Sequence, residues 1–112
     1  MDCVFCKIVN GEIPAKKVYE DDAVVAFHDL EPRANVHVLI IPKTHIASAA
    51  DITEDNAMVV ASIFKVVAKL SREMGMEEGF RVVTNGGRHG CQSVGHLHFH
   101  LLGGNQLSSK MC

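Results

Sequence analysis

His96-Leu97-His98-Phe99-His100-Leu101-Leu102 sets three imidazoles at strict period 2 with apolar residues between them. The alternation reads as one β-strand with its histidines on one face and its aliphatics on the other. Side chains on one face of a strand stand roughly 6.5–7 Å apart, so neighbouring rings can act on a single phosphate-sized group. A core face would carry aliphatics at these positions, and a plain surface strand would mix Lys, Glu and Thr. Imidazole, with an ordinary pKa of about 6.5, is also the side chain that changes charge nearest neutrality. Two chemistries fit the run. Three imidazoles can ligate a catalytic zinc, or one can attack phosphorus while its neighbours stabilise the phosphate oxygens. The preceding loop favours the second. Asn85, Ser93 and glycines 86, 87, 90 and 95 offer neutral donors and open backbone N–H groups that cradle an anion. No carboxylate lies nearby in sequence to orient a zinc-bound water.

Upstream of the run, Phe80 to Thr84 reads as a strand entering the turn Asn85-Gly86-Gly87. Before it, Thr53-Glu54-Asp55 looks like a capped helix start. Met58, Ala61, Phe64, Val67 (or Ala68) and Leu70 then follow helical spacing to a stop at Gly75. That predicts a helix of about 20 residues, the longest in the chain. Val36 to Ile41 is a continuous apolar, β-branched run ended by Pro42, the pattern of a central strand covered on both faces. Lys17–Glu20 and Ala23–Asp29 read as two strands around the acidic turn Glu20-Asp21-Asp22. Residues 2–10 form a short helix closed by Gly11. The predicted class is α+β, a mostly antiparallel five-stranded meander with one long helix across a face.

At 112 residues, 47 % hydrophobic and 21 % charged, the chain is expected to form one globular domain over 1–112. A net charge near −2 without a basic stripe argues against a nucleic-acid duplex as partner. No apolar run approaches the roughly 20 residues needed to cross a bilayer, and no signal pattern opens the sequence, so the expected location is cytoplasmic with no membrane partner. In a reducing compartment, Cys3, Cys6, Cys91 and Cys112 are poor candidates for disulfides. Cys3-x-x-Cys6 then calls for a metal or a redox role. A redox pair usually opens a helix after a strand in a βαβ unit, which this chain lacks.

The histidine run has the form His-φ-His-φ-His-φ-φ and resembles the signature of the histidine triad (HIT) superfamily of nucleotide hydrolases and transferases. Phe5-Cys6-Lys7-Ile8, Glu12-Ile13-Pro14-Ala15, Ala26-Phe27-His28-Asp29, Leu39-Ile40-Ile41-Pro42-Lys43 and Gln92-Ser93-Val94 are similar to its purine nucleoside phosphoramidase (Hint-like) branch, in order and over nearly the whole chain. The resemblance implies a hydrolase that cleaves nucleoside 5′-phosphoramidates of the AMP–amine type through a nucleotidyl-histidine intermediate. A dinucleoside polyphosphate hydrolase is the nearest enzymatic alternative, and a nucleotide-binding or scaffold protein with little activity the other. His98 takes the nucleophile's position, with His100, His37 and Ser93 as its catalytic partners. Asn85 falls where the phosphate is held and Asp29 where the ribose hydroxyls are. Val4, Phe5, Ile8, Phe27 and Leu30 fall at the base pocket. Phe27 and Asp29, two apart on a strand, are expected on one side. His100 stands where the transferases carry glutamine, which points to hydrolysis.

The resemblance further implies a structural zinc held by Cys3, Cys6, His45 and His96, a complete tetrahedral set, as in the zinc-bearing bacterial or archaeal form. It also implies a homodimer whose sheet continues from one protomer to the other. The C-terminal Asn105–Lys110 departs from the branch's animal members on the side where a leaving group would sit. Cys91 and Cys112 receive no role.

Overall fold

The computed structural model describes residues 3–111; Asp2, the first residue of the predicted N-terminal helix, and Cys112 lie outside them. Five antiparallel strands, β1 (Lys17–Glu20), β2 (Val24–His28), β3 (Val36–Pro42), β4 (Phe80–Val83) and β5 (Phe99–Gly103), form one sheet. Helix α1 (Val4–Val9) lies ahead of β1, and α2 (Met58–Glu73) lies between β3 and β4. The order is β1-β2-β3-β5-β4. The first three strands form the expected meander, but the rest does not. The crossover through α2 carries β4 to the edge, and β5 returns to pair with β3 on one side and β4 on the other.

Alternation within the strands sorts the sheet into two faces. Val24, Ala26, Val38, Ile40, Leu97, Phe99 and Leu101 pack with Ile63, Val66, Val67 and Leu70 of α2 to make the main core. The opposite face carries Val25, Phe27, Leu39 and Ile41, covered by Cys3, Phe5 and Ile8 of the α1 segment. Because α1 is one and a half turns long, it covers only part of this face. The portion carrying His37, His100, Leu102, Arg81 and Val83 stays open as a cavity.

Two sequence expectations about α2 are corrected. The helix has 16 residues, with Ala57 rather than Thr53 at its N-cap and no side-chain cap. The Thr53 N–H is held by Asn56 Oδ1 at 2.7 Å and its carbonyl accepts from Ala57, so Thr53 sits in a separate turn. The buried stripe runs through Ile63, Val66, Val67 and Leu70, while Met58, Ala61 and Phe64 are exposed. Both flanks of this helix are apolar, so spacing alone could not tell which one faces the sheet. Gly75 closes the helix at φ +76, a left-handed conformation that glycine adopts without a Cβ clash.

The histidine run is also shorter as a strand than its alternation predicts. The ladder to β3 ends at Phe99 opposite Ile40, so of the three histidines only His100 lies within β5. Chemistry explains the break. Pro42 has no N–H to offer the strand, and its carbonyl accepts from His96 Nε2 at 2.9 Å. The Leu97 N–H instead reaches the Ile46 carbonyl at 2.6 Å, and the His98 carbonyl is taken by Thr84 Oγ1 at 2.8 Å. The extended course and its two-sided alternation survive without the ladder.

Candidate active site and metal centre

Each histidine of the run is fixed through one ring nitrogen, which determines what the other can do. His96 is fully buried. Its Nε2–H donates to the Pro42 carbonyl, so Nδ1 is unprotonated and faces Cys3 Sγ at 3.3 Å, Cys6 Sγ at 3.6 Å and His45 Nδ1 at 3.1 Å. Cys6 Sγ lies 3.3 Å from His45 Nδ1. The helix-opening turn presents both sulfurs, since Cys3 is the N-cap of α1 and Cys6 sits one turn on. A tetrahedral zinc with bonds of about 2.0–2.3 Å needs donor separations of roughly 3.3 Å between nitrogens and 3.6 Å from nitrogen to sulfur. All four donor atoms lie within 4.8 Å of one another. Burial and the neighbouring Cys3 push the Cys6 thiol up. Burial lowers the His96 imidazole from its ordinary range, favouring the neutral form that ligates metal. Cys3, Cys6, His45 and His96 therefore make a complete Cys₂His₂ donor set that fits a structural zinc.

His98 Nδ1–H donates to the His96 carbonyl at 2.7 Å. Its Nε2 is left with a lone pair and no protein partner among the described residues. His98 is only 2 % exposed, yet no buried side-chain nitrogen or oxygen among the described residues lacks a partner. Nε2 therefore keeps some of the residual exposure of His98. Phe5 packs edge-on against the ring at 5.2 Å, and the His100 ring lies 5.1 Å away.

His100 belongs to a second cluster. The Arg33 N–H donates to His37 Nδ1 at 3.0 Å, which places the His37 proton on Nε2. That proton is directed at His100 Nδ1, 2.9 Å away, with Asp29 Oδ2 at 3.3 Å. His100 Nδ1 thus accepts, and its own proton sits on Nε2. Burial, followed by electrostatic repulsion from the neighbouring His98 and His37, lowers the His100 pKa to about 4, so the ring is neutral at pH 7. Burial likewise lowers His37, with Asp29 opposing. A chain of neutral rings, started by one backbone amide, ends in an N–H donor.

The open face forms a cavity of about 660 Å³. It brings together Asp29, His37, Asn85, Ser93 and His100, all singled out from sequence. His98 does not line it but abuts it beside His100. The base-pocket candidates are placed differently. Phe5 and Ile8 of α1 pack with Phe27 of β2, Val4 is exposed, and Leu30 is 92 % exposed and away from that cluster.

The cavity also contains Arg81 and Arg33, to which sequence reasoning gave no role, and part of the C-terminal segment Asn105–Lys110. Arg81 on β4 pairs with Leu102, one rung beyond the Val83–His100 pair, and so shares the histidine face; its alternation with Val83 was the available signal. Arg33 lies on the loop before β3. Leu107 and Ser108, from the C-terminal segment, close the far side, where Arg81 Nη2 donates to the Ser108 carbonyl at 2.5 Å.

Comparison with known proteins agrees with this architecture. A family model described as HIT domain matches residues 10–107. The crystal structure of a HIT family hydrolase from Legionella pneumophila Philadelphia 1 is 45 % identical, covers 99 % of this chain and 100 % of that one, and superposes with a TM-score of 0.95. A histidine triad protein from Clostridium difficile is 50 % identical over 98 % of this chain and 96 % of its own, with a TM-score of 0.94. A 14 kDa zinc-binding protein from Zea mays is 43 % identical over 94 % of this chain and 84 % of its own length. From strand order to histidine run, the chain belongs to the HIT family.

Proposed function

We propose that this protein is a nucleotide hydrolase that cleaves the P–N bond of nucleoside 5′-phosphoramidates of the AMP–amine type. One observation carries the reading: the His96 carbonyl holds the His98 proton on Nδ1, leaving Nε2 as a free nucleophile beside the cavity. Nε2 attacks the α-phosphorus, the P–N bond breaks, and the amine leaves with a proton; water then cleaves the nucleotidyl-histidine to release the nucleoside monophosphate. His100 Nε2–H, held in place by His37, donates to a phosphate oxygen, with Asn85 and Ser93 as further neutral donors. Ser93 also donates to the leaving nitrogen. Asp29 accepts from the ribose hydroxyls, and Phe5, Ile8 and Phe27, with Val4 of α1, offer the apolar contact for the purine, while Leu30 stands apart from them. Zinc has a structural part, because the residue it fixes is the one whose carbonyl orients the nucleophile. The unpaired edge of β4 and the exposed Met58, Phe64 and Phe80 support a homodimer with a shared sheet. A cytoplasmic location suits the free thiols.

A second reading, hydrolysis of dinucleoside polyphosphates, draws on Arg33 and Arg81 in the cavity, which would favour an anionic leaving group. Turnover of an AMP–amine conjugate measured beside a diadenosine polyphosphate separates the two. The phosphoramidate should be preferred, and His98→Ala should lower its kcat by a thousandfold or more, on the order expected for loss of a nucleophile. Preference for the polyphosphate would overturn the first reading, and unchanged turnover in His98→Ala would remove the nucleophile.

A further inference from the structure

Gln92, in the loop beside the cavity, makes three side-chain hydrogen bonds, and nothing in the chemistry above uses it. Its Oε1 accepts the Gly87 N–H at 2.8 Å. Its Nε2 donates to the Ala47 carbonyl at 2.7 Å and to the Val94 carbonyl at 2.8 Å. Its backbone N–H completes a ring to the Gly87 carbonyl at 3.0 Å. Both amide protons and the amide oxygen are thus committed, in a loop otherwise short of restraints. Gly87 has φ +69 and Cys91 φ +59, and the close approach of Gly90 to the Gly86 backbone, 2.6 Å from the position of a Cβ, leaves no room for a side chain there. Such a loop has many alternative conformations to lose.

The anchor at the other end matters equally. Ala47 follows the zinc ligand His45 by two residues, and the intervening Ile46 carbonyl holds the N–H of Leu97, between His96 and His98. Segment 45–47 therefore grips the nucleophile strand and the Gly-rich loop together. Gln92 is the side chain that ties the loop to it, and Ser93 is its immediate neighbour on the cavity wall.

We infer that Gln92 is a positioning residue that registers Ser93, and with it the leaving-group donor, against His98. The inference rests on the proposed phosphoramidate chemistry for its catalytic consequence, though not for the loop's geometry. An aliphatic amine must acquire a proton to leave, whereas p-nitrophenolate departs without one. Loss of register should therefore affect P–N cleavage far more than cleavage of the p-nitrophenyl ester of AMP.

Gln92→Glu tests this in the full chain. It keeps shape and the acceptor for Gly87 but turns an oxygen toward two carbonyls. The expected kcat for an AMP–amine conjugate falls about 10- to 100-fold with KM within threefold, while the p-nitrophenyl ester loses less than threefold. Combined with Ser93→Ala, the losses should be markedly less than multiplicative, because both act through one donor. Zinc content and melting temperature serve as controls, and Gln92→Met, which removes all three contacts without placing a charge, should reproduce the split. Equal losses on both substrates, multiplicative losses in the double variant, or loss of zinc would each overturn the inference. Amide exchange over residues 86–94 decides it independently of substrate: both variants should exchange at least tenfold faster there. If the wild type cleaved neither compound, the substrate reading would fail, and unchanged exchange would remove the positioning role by itself.

Discussion

Two clusters of metal-ligating side chains lie at opposite ends of one histidine run, and they suit opposite purposes. Cys3, Cys6, His45 and His96 bring their donor atoms within 4.8 Å, and so do Asp29, His37 and His100. Residue type does not separate them, since a carboxylate with two imidazoles is a common metal set. The second hydrogen bond of each ring does. His96 gives its proton away to the Pro42 carbonyl and turns a lone pair inward. His37 receives an N–H from Arg33 on Nδ1, so its proton points inward, at His100. A metal at the second cluster would have to displace that proton to a nitrogen already facing a donor. Outer hydrogen bonds decide ligand competence, and here they make one cluster a zinc site and the other a proton-carrying chain that ends in a neutral donor.

The largest expected effect that separates the clusters comes from Cys3→Ser. Zinc should fall from about one per chain toward zero in elemental analysis. The melting temperature should fall on the order of 10 °C or more, as expected when metal binding contributes folding free energy. His37→Gln should show the opposite pattern: zinc retained, melting temperature within a few degrees, and turnover reduced about a hundredfold, a typical loss for a misdirected proton-donating partner. If His37→Gln depleted zinc, or Cys3→Ser kept it, the division between clusters would be wrong.

The smallest effect is one of pH. The His100 pKa, held near 4 by burial, lies below its unfolded value near 6.5. At pH values between the two the unfolded chain binds a proton that the folded ring refuses. The stability contribution is therefore fully present above about pH 6.5 and is lost as pH falls toward 4. Chemical denaturation at pH 7 and pH 5 should show wild type losing more stability than His100→Gln, by no more than about 3 kcal/mol. A larger loss in the variant would contradict the neutral ring.

Much of this division was legible in sequence, but for different reasons in different places. The alternation of His96, His98 and His100 with Leu97, Phe99 and Leu101 is a two-faced pattern, and the two faces are where it put them. Cys3-x-x-Cys6 and His45 are too far from His96 in sequence for spacing to join them, so family resemblance supplied that set before geometry did. What sequence could not supply was long-range choice. Which flank of α2 faces the sheet depends on partners, and Met58 and Phe64 are as apolar as Ile63 and Val66. The insertion of β5 between β3 and β4 follows from the crossover, which no local pattern records. The early end of the ladder at Phe99 comes from Pro42, a residue more than fifty positions away. Arg81 entered the cavity through strand register rather than through any motif.

The central claim is that the three rings have different jobs: His96 holds metal, His98 attacks, and His100 donates. Acid quenching of wild-type protein during turnover of an AMP–amine conjugate, followed by peptide mass spectrometry, tests this most directly. The account predicts a nucleotidyl adduct on His98 alone, absent in His98→Ala and still formed, more slowly, in His37→Gln. An adduct on His100, or sustained turnover with no adduct at any histidine, would contradict it.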